Sequence, residues 1–229
     1  MKPVIKIDIV SDVVCPWCYI GKRRIEKAMT ALKDEFDFEI NYLPFELNPQ
    51  TPKEGHNLKE YLSNKFGGEE KYSQITRHVT QVAAQEGLQF NFDRQPITPN
   101  TKDVHRVIWY AKKEGKQPEV KEAFLKAYFE EGIDLTKKDN LLSVAASAGL
   151  NTTRVASLLD SEEGLPEVVQ LEQLSYQRGV SGVPFYIINN QYGISGAQSS
   201  DVFIQALQQI GADINLSHSE VCDVEEKNC

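Results

Sequence analysis

The residues best suited to chemistry are Cys15-Pro16-Trp17-Cys18, inside SDVVCPWCYIGKRR. Two cysteines at this spacing can trade electrons as a dithiol–disulfide couple, form an inert bridge, or supply half of a zinc site. Local setting favours the first. Val4 to Val10 (VIKIDIV) reads as a short buried strand directly before the pair. After it, Ile25, Ala28, Met29 and Leu32 recur at i, i+3, i+4 and i+7, a helical face. Pro16 suits a helix's first turn, where its missing N–H costs nothing. At such a junction, free N–H groups and the helix dipole lower a thiol's pKa from about 8.5, and the thiolate is the nucleophile of disulfide exchange. Position then assigns roles. Cys15 precedes the helix, exposed at its tip, and attacks; Cys18 lies one turn in, more buried, and resolves the mixed disulfide. Pro16 and an exposed Trp17 lie over the thiolate as substrate contacts. No cofactor is called for.

Val183-Pro184 is the second feature. A proline opening a strand far from CPWC fits a cis proline placed against the thiolate, where its ring binds no metal and Val183 offers its backbone to a substrate. Cys222 and Cys229, in CDVEEKNC, form a third group. They could be idle, act as accessory redox thiols, or join Cys15 and Cys18 in a tetrathiolate zinc site; no metal ligand is assigned. The four histidines, His56, His78, His105 and His218, are too scattered for a ligand motif. His105 reads as a helix-surface residue, with a substrate groove as the alternative. Glu46 reads as a surface or capping residue, with proton transfer near the thiols as the alternative. Trp109 reads as core.

These residues need elements to hold them. Phe36 to Phe45 alternates as a second strand, reached across a helix, so a right-handed parallel βαβ unit is expected. From about Asn48 the spacing becomes helical for over a hundred residues, interrupted by an extended LQFNFD loop at 88–93. Asp139 and Gly149 are expected to cap one helix, and Thr152 or Thr153 to cap the next. After Pro166 come a helix to about Arg178, a strand from Val183 to Ile188, an Asn189-Asn190 turn, a strand from Gln191 to Ser195, and a helix capped by Ser199. The expected organisation is an α/β domain of residues 1–48 plus 166–216, an inserted helical domain of 49–165, and a flexible acidic tail of 217–229.

The totals agree with a soluble globular protein: 229 residues, 41% hydrophobic and 25% charged. A net charge of -8 argues against nucleic acid, whose phosphates demand a basic face. No stretch approaches the roughly 18 apolar residues of a membrane span. MKPVIKIDIV does not read as a secretory signal, so a cytoplasmic location is expected.

From the N-terminus to about Leu207, SDVVCPWCYIGKRR, PFELNP, NTKDVHR, AYFEEGIDL and GVSGVPFYI with ISGAQ resemble the DsbA-like thioredoxin superfamily, and within it the FrnE-type cytosolic branch. The resemblance implies a thioredoxin fold, with a central mixed sheet flanked by helices and a large inserted all-helical domain. It implies thiol–disulfide oxidoreductase or isomerase activity on protein or small-molecule disulfides and dithiols, glutathione among them. It carries over Cys15, Cys18 and Pro184 in the roles above. It also implies an accessory redox function for a C-terminal cysteine pair, although Cys222 and Cys229 stand wider apart than in those relatives. Pro-Trp replaces the Pro-His of periplasmic relatives, so strong oxidising character does not follow. Kappa-type glutathione transferases and hydroxychromene-carboxylate isomerases are similar in layout but carry serine where this motif has cysteine; they are the alternative enzyme class. A zinc-binding or chaperone module is the alternative outside it.

Overall fold

The β-branched N-terminal run forms β1 (Val4–Ser11), whose Ile5, Ile7, Ile9 and Val10 are all buried. The computed structural model describes residues 2–225, with side chains as far as residue 213. β1 pairs in parallel with β2 (Asp37–Pro44), Val4 opposite Asp37 through to Ser11 opposite Pro44. The crossover between them is α1 (Pro16–Ala31). On its other side β1 runs antiparallel to β5 (Phe185–Ile188), which pairs with β6 (Tyr192–Ser195). The sheet order is β2-β1-β5-β6, a mixed sheet with β1 inside it. Asn189 and Asn190 close the β5–β6 hairpin at φ 51° and 57°, the left-handed pair that a two-residue turn requires and asparagine tolerates.

Between β2 and α8 (Leu165–Gln177) lie α2 (Leu58–Phe66), α3 (Glu69–Gln85), α4 (Lys102–Lys113), α5 (Gln117–Lys126), α6 (Lys138–Ser147) and α7 (Thr152–Leu159). Last comes α9 (Ser200–Glu225). Several details differ from the sequence expectation. The non-helical stretch is not one extended loop: a 3-10 turn covers Phe92–Arg94, and β3 (His56–Asn57) pairs with β4 (Ile97–Thr98). A two-residue ladder leaves no periodicity to read. Asn151, not Thr152 or Thr153, caps α7, accepting from the Arg154 N–H at 2.9 Å. Lys137 is the N-cap of α6, with Asp139 inside its first turn. α9 runs past position 216 to Glu225, since neither glycine nor proline follows Gly211 in that stretch.

Two devices join the inserted segment to the sheet. β2 is an edge strand, and such strands need their free backbone groups covered. Gln117 does this: its Oε1 accepts from the Tyr42 N–H at 2.9 Å, and its Nε2 donates to the Tyr42 carbonyl at 3.0 Å. Glu122 of α5 grips α1, accepting from the Tyr19 hydroxyl at 2.7 Å, pairing with Lys22 at 2.6 Å and with Arg23. These cations outweigh the burial of Glu122 and hold its carboxyl down at about 2.

α1 lies so close to β5 that its Gly21 has no room for a side chain. A Cβ there would collide with the Tyr186 hydroxyl and press on the Pro184 ring at 3.2 Å. Gly21→Val is therefore expected to destabilise the fold by about 2 kcal/mol through overpacking, read as a lower midpoint in denaturant melts.

Candidate active site

Cys15 is the N-cap residue of α1, in extended conformation, and Pro16 is the first helical position. The Cys18 N–H donates to the Cys15 carbonyl at 3.0 Å, closing the first turn. Both cysteines are free thiols. The Cys15 thiol donates to the Val183 carbonyl at 3.5 Å. The next peptide bond, Val183–Pro184, is cis, and Pro184 is buried where α1 meets β5. The fold thus brings together Cys15, Cys18, Val183 and Pro184, as expected from sequence. One expectation is corrected. Cys15 is not exposed at the helix tip: it and Cys18 are each 4% exposed, because α2 and α3 of the inserted segment stand over the junction. Cys15 instead lines a cavity of about 290 Å³, together with Pro16, Trp17 and Val183. Trp17 is likewise half-buried rather than exposed, with its ring 6.3 Å from that of His78.

Behind the thiols lies a set of buried charges that the motif alone does not reveal. Burial pushes the Cys18 thiol well up, and hydrogen bonding to Cys15 and the charge of Cys15 add to this. Lys121 of α5, fully buried, pulls the other way. Burial in turn lowers Lys121, against the attraction of Cys18, Asp12 and Cys15. Asp12, at the end of β1, is fully buried as well. Burial raises its carboxyl, but the His105 imidazole beside it, the Leu47 N–H (2.9 Å from Oδ2) and the Lys121 charge prevail and hold it low. Charges in so dry a place persist only when paired in this way.

His105 is not a surface residue and lines no part of the Cys15 cavity. It is 2% exposed, with Nε2 at 3.2 Å from the Phe45 carbonyl and 3.3 Å from Asp12 Oδ1. Two acceptors on that nitrogen place its proton there. The proton is aligned on Phe45, leaving Asp12 Oδ1 close by without a formal hydrogen bond. Glu46 is buried rather than a surface residue, pairs with Lys102 at 3.2 Å, and is raised first of all by burial; its ionic neighbours are Asp12 and His105 rather than the thiols. Trp109 is half-buried beneath the Lys113 ammonium, 3.8 Å from its ring. The Cys222 side chain and Cys229 lie outside the described residues. Lys121 and His105 also line a cavity of about 310 Å³ that shares no lining residue with the one at Cys15. Sequence reasoning missed Asp12, Lys121 and Gln117. For Lys121 a signal exists: it falls beside Gln117, Phe124 and Leu125 on the inward face of α5, an odd place for a lysine.

A DSBA-like thioredoxin domain model matches residues 6–208, and the chain belongs to that family. A probable DsbA oxidoreductase from Streptomyces coelicolor is 32% identical, with a TM-score of 0.83, over 90% of this chain and 89% of that one. The uncharacterized protein YwbO of Bacillus subtilis is 26% identical over 208 residues, 89% of this chain and 96% of its own. The cytosolic disulfide reductase DsbM of Pseudomonas aeruginosa, solved with GSH, shares the fold at 15% identity and a TM-score of 0.64, over 89% of this chain and 98% of that one.

Two expectations follow. Lys121→Met removes the cation that favours the Cys18 thiolate. In a Cys15→Ser background it should slow alkylation of Cys18 by iodoacetamide at pH 9 about tenfold. Second, burial pushes Glu172 up to about 7 from 4.5. Below 4.5 it is protonated in both folded and unfolded chains. As pH rises towards 7 the unfolded chain ionises first, so the stabilisation is lost across that window, by about 3 kcal/mol at 1.36 kcal/mol per unit. Glu172→Gln should remove that part of the pH dependence of denaturant midpoints.

Proposed function

We propose that the protein is a thiol–disulfide oxidoreductase or isomerase of the FrnE type, working in the cytoplasm on protein or small-molecule disulfides and dithiols. The observation that carries this reading is the placement of the Cys15 sulfur. It stands at the open N-terminus of α1, beside the Cys18 thiol and 3.5 Å from the Val183 carbonyl, on the wall of a cavity. The Cys15 thiolate attacks one sulfur of a substrate disulfide, forming a mixed disulfide and releasing one thiolate, which takes up a proton. Cys18 gives up its proton and attacks the Cys15 sulfur, releasing the second thiol and leaving a Cys15–Cys18 disulfide. Two electrons pass from enzyme to substrate; the reverse sequence oxidises a dithiol. Isomerisation is the case in which the substrate's own thiol resolves the intermediate. Pro184 seats the substrate against the sulfur, and Pro16, Trp17 and Val183 flank it. Cys222 and Cys229 are proposed as accessory thiols. Among the described residues no helix is long and apolar enough to cross a membrane.

The cysteine at position 15 favours this reading over the serine-bearing transferases and isomerases of the same layout. Cys15→Ser is expected to abolish insulin reduction and scrambled-ribonuclease refolding, a loss of at least about a thousandfold for removal of a covalent nucleophile. Cys18→Ser should accumulate a mixed disulfide visible by non-reducing electrophoresis. Turnover that survives Cys15→Ser overturns the proposal, and glutathione conjugation surviving it would point to the transferase class.

A further inference from the structure

The cavity at Cys15 has a chemical character of its own. Trp17, Phe66, Ile75, Val79 and Phe129 make its walls mainly apolar. Lys65 is the only charged residue among those lining it, and its ammonium already donates to Asn48 Oδ1 at 3.2 Å. One polar group stands out. Gln95, on the same lining, is 4% exposed, and neither its side-chain oxygen nor its nitrogen has a hydrogen-bond partner among the described residues. A buried carboxamide without partners is costly, so a ligand that supplies them gains what the empty site forgoes. A carboxamide offers one acceptor and two donors, which complements the N–H and C=O of another amide. At about 290 Å³ the cavity is at the lower end of small-molecule sites, and a highly charged ligand would lose its hydration there without counter-charges.

We propose that this cavity takes a low-molecular-weight disulfide with an apolar arm and one amide, the arm lying against Phe66, Ile75 and Phe129, the amide paired with Gln95, and the sulfur presented to Cys15. This rests on the redox reading above and names its substrate class. The step is the same exchange: the substrate S–S bond breaks, an enzyme–substrate S–S bond forms and is then replaced by the Cys15–Cys18 disulfide, and two thiols leave carrying two electrons and two protons.

The test uses the full-length protein, pre-reduced and freed of reductant, in single turnover, so no co-reductant enters. Oxidation of Cys15 and Cys18 is followed by the loss of alkylatable thiol. Bis(N-hexanoylcysteamine) disulfide should react at least tenfold faster than either 2-hydroxyethyl disulfide or glutathione disulfide. Its ester analogue, which lacks the amide N–H, should lose most of that advantage in the unaltered protein. Gln95→Met, similar in length and without the amide, should cut the preference for the amide over the ester about tenfold, with its thermal midpoint checked. If the hexanoyl amide reacts no faster than 2-hydroxyethyl disulfide, or if reduction of insulin outpaces it, the substrate assignment is wrong while the redox reading stands. If none of these disulfides oxidises the Cys15–Cys18 pair, the redox reading itself fails.

Discussion

The thiol of Cys15 rests against the carbonyl of Val183, and three separate elements have to arrive together for that contact to exist. β1 delivers the chain to the junction, α1 begins there with its first N–H groups free, and the segment entering β5 returns from 168 residues away to face it. The clearance is small. Gly21 allows α1 to lie against Pro184 and Tyr186, and any side chain at that position would lift the helix and its N-terminus off the strand. Since packed interiors transmit such displacements rather than absorb them, the site and the core are one mechanical unit.

The inserted segment does more than cover the site. α5 contributes three groups that reach back into the sheet: Gln117 pairs the free edge of β2, Glu122 clamps the first turns of α1, and Lys121 places a cation behind the thiols. Lys121 opposes the effect of burial on Cys18 and helps hold Asp12 ionised. Burying a lysine and an aspartate brings a desolvation cost that mutual attraction offsets only with good geometry. Here one of the same charges, Lys121, biases the ionisation of the Cys18 thiol. The helices overhead have a second consequence: Cys15 meets solvent through a walled cavity instead of standing on an open surface.

Much of this arrangement was legible in the chain. The run VIKIDIV, the i, i+3, i+4, i+7 pattern after Cys18, and the Asn-Asn turn are local signals, and each produced the element expected. Cys15, Cys18 and Pro184 were recognisable because strand–CxxC–helix and a strand-opening proline carry their meaning in short windows. The two-residue ladder of β3 and β4, the Asn151 cap and the end of α9 were read differently, because propensity blurs at element ends and in very short pairings.

The order of the four strands of the main sheet, the placement of Cys15 and Cys18 at the start of a helix and the proline that returns to face them thus follow from residue type and spacing, since helix and strand periods are local properties. The burial of Cys15, the pairing of Asp12 with His105, the cation at Lys121 and the unpartnered amide of Gln95 were decided only when distant segments packed. Desolvation and charge contact depend on what surrounds a side chain in space: the helical pattern can place Lys121 on an inward face, but not beside Cys18, 103 positions away.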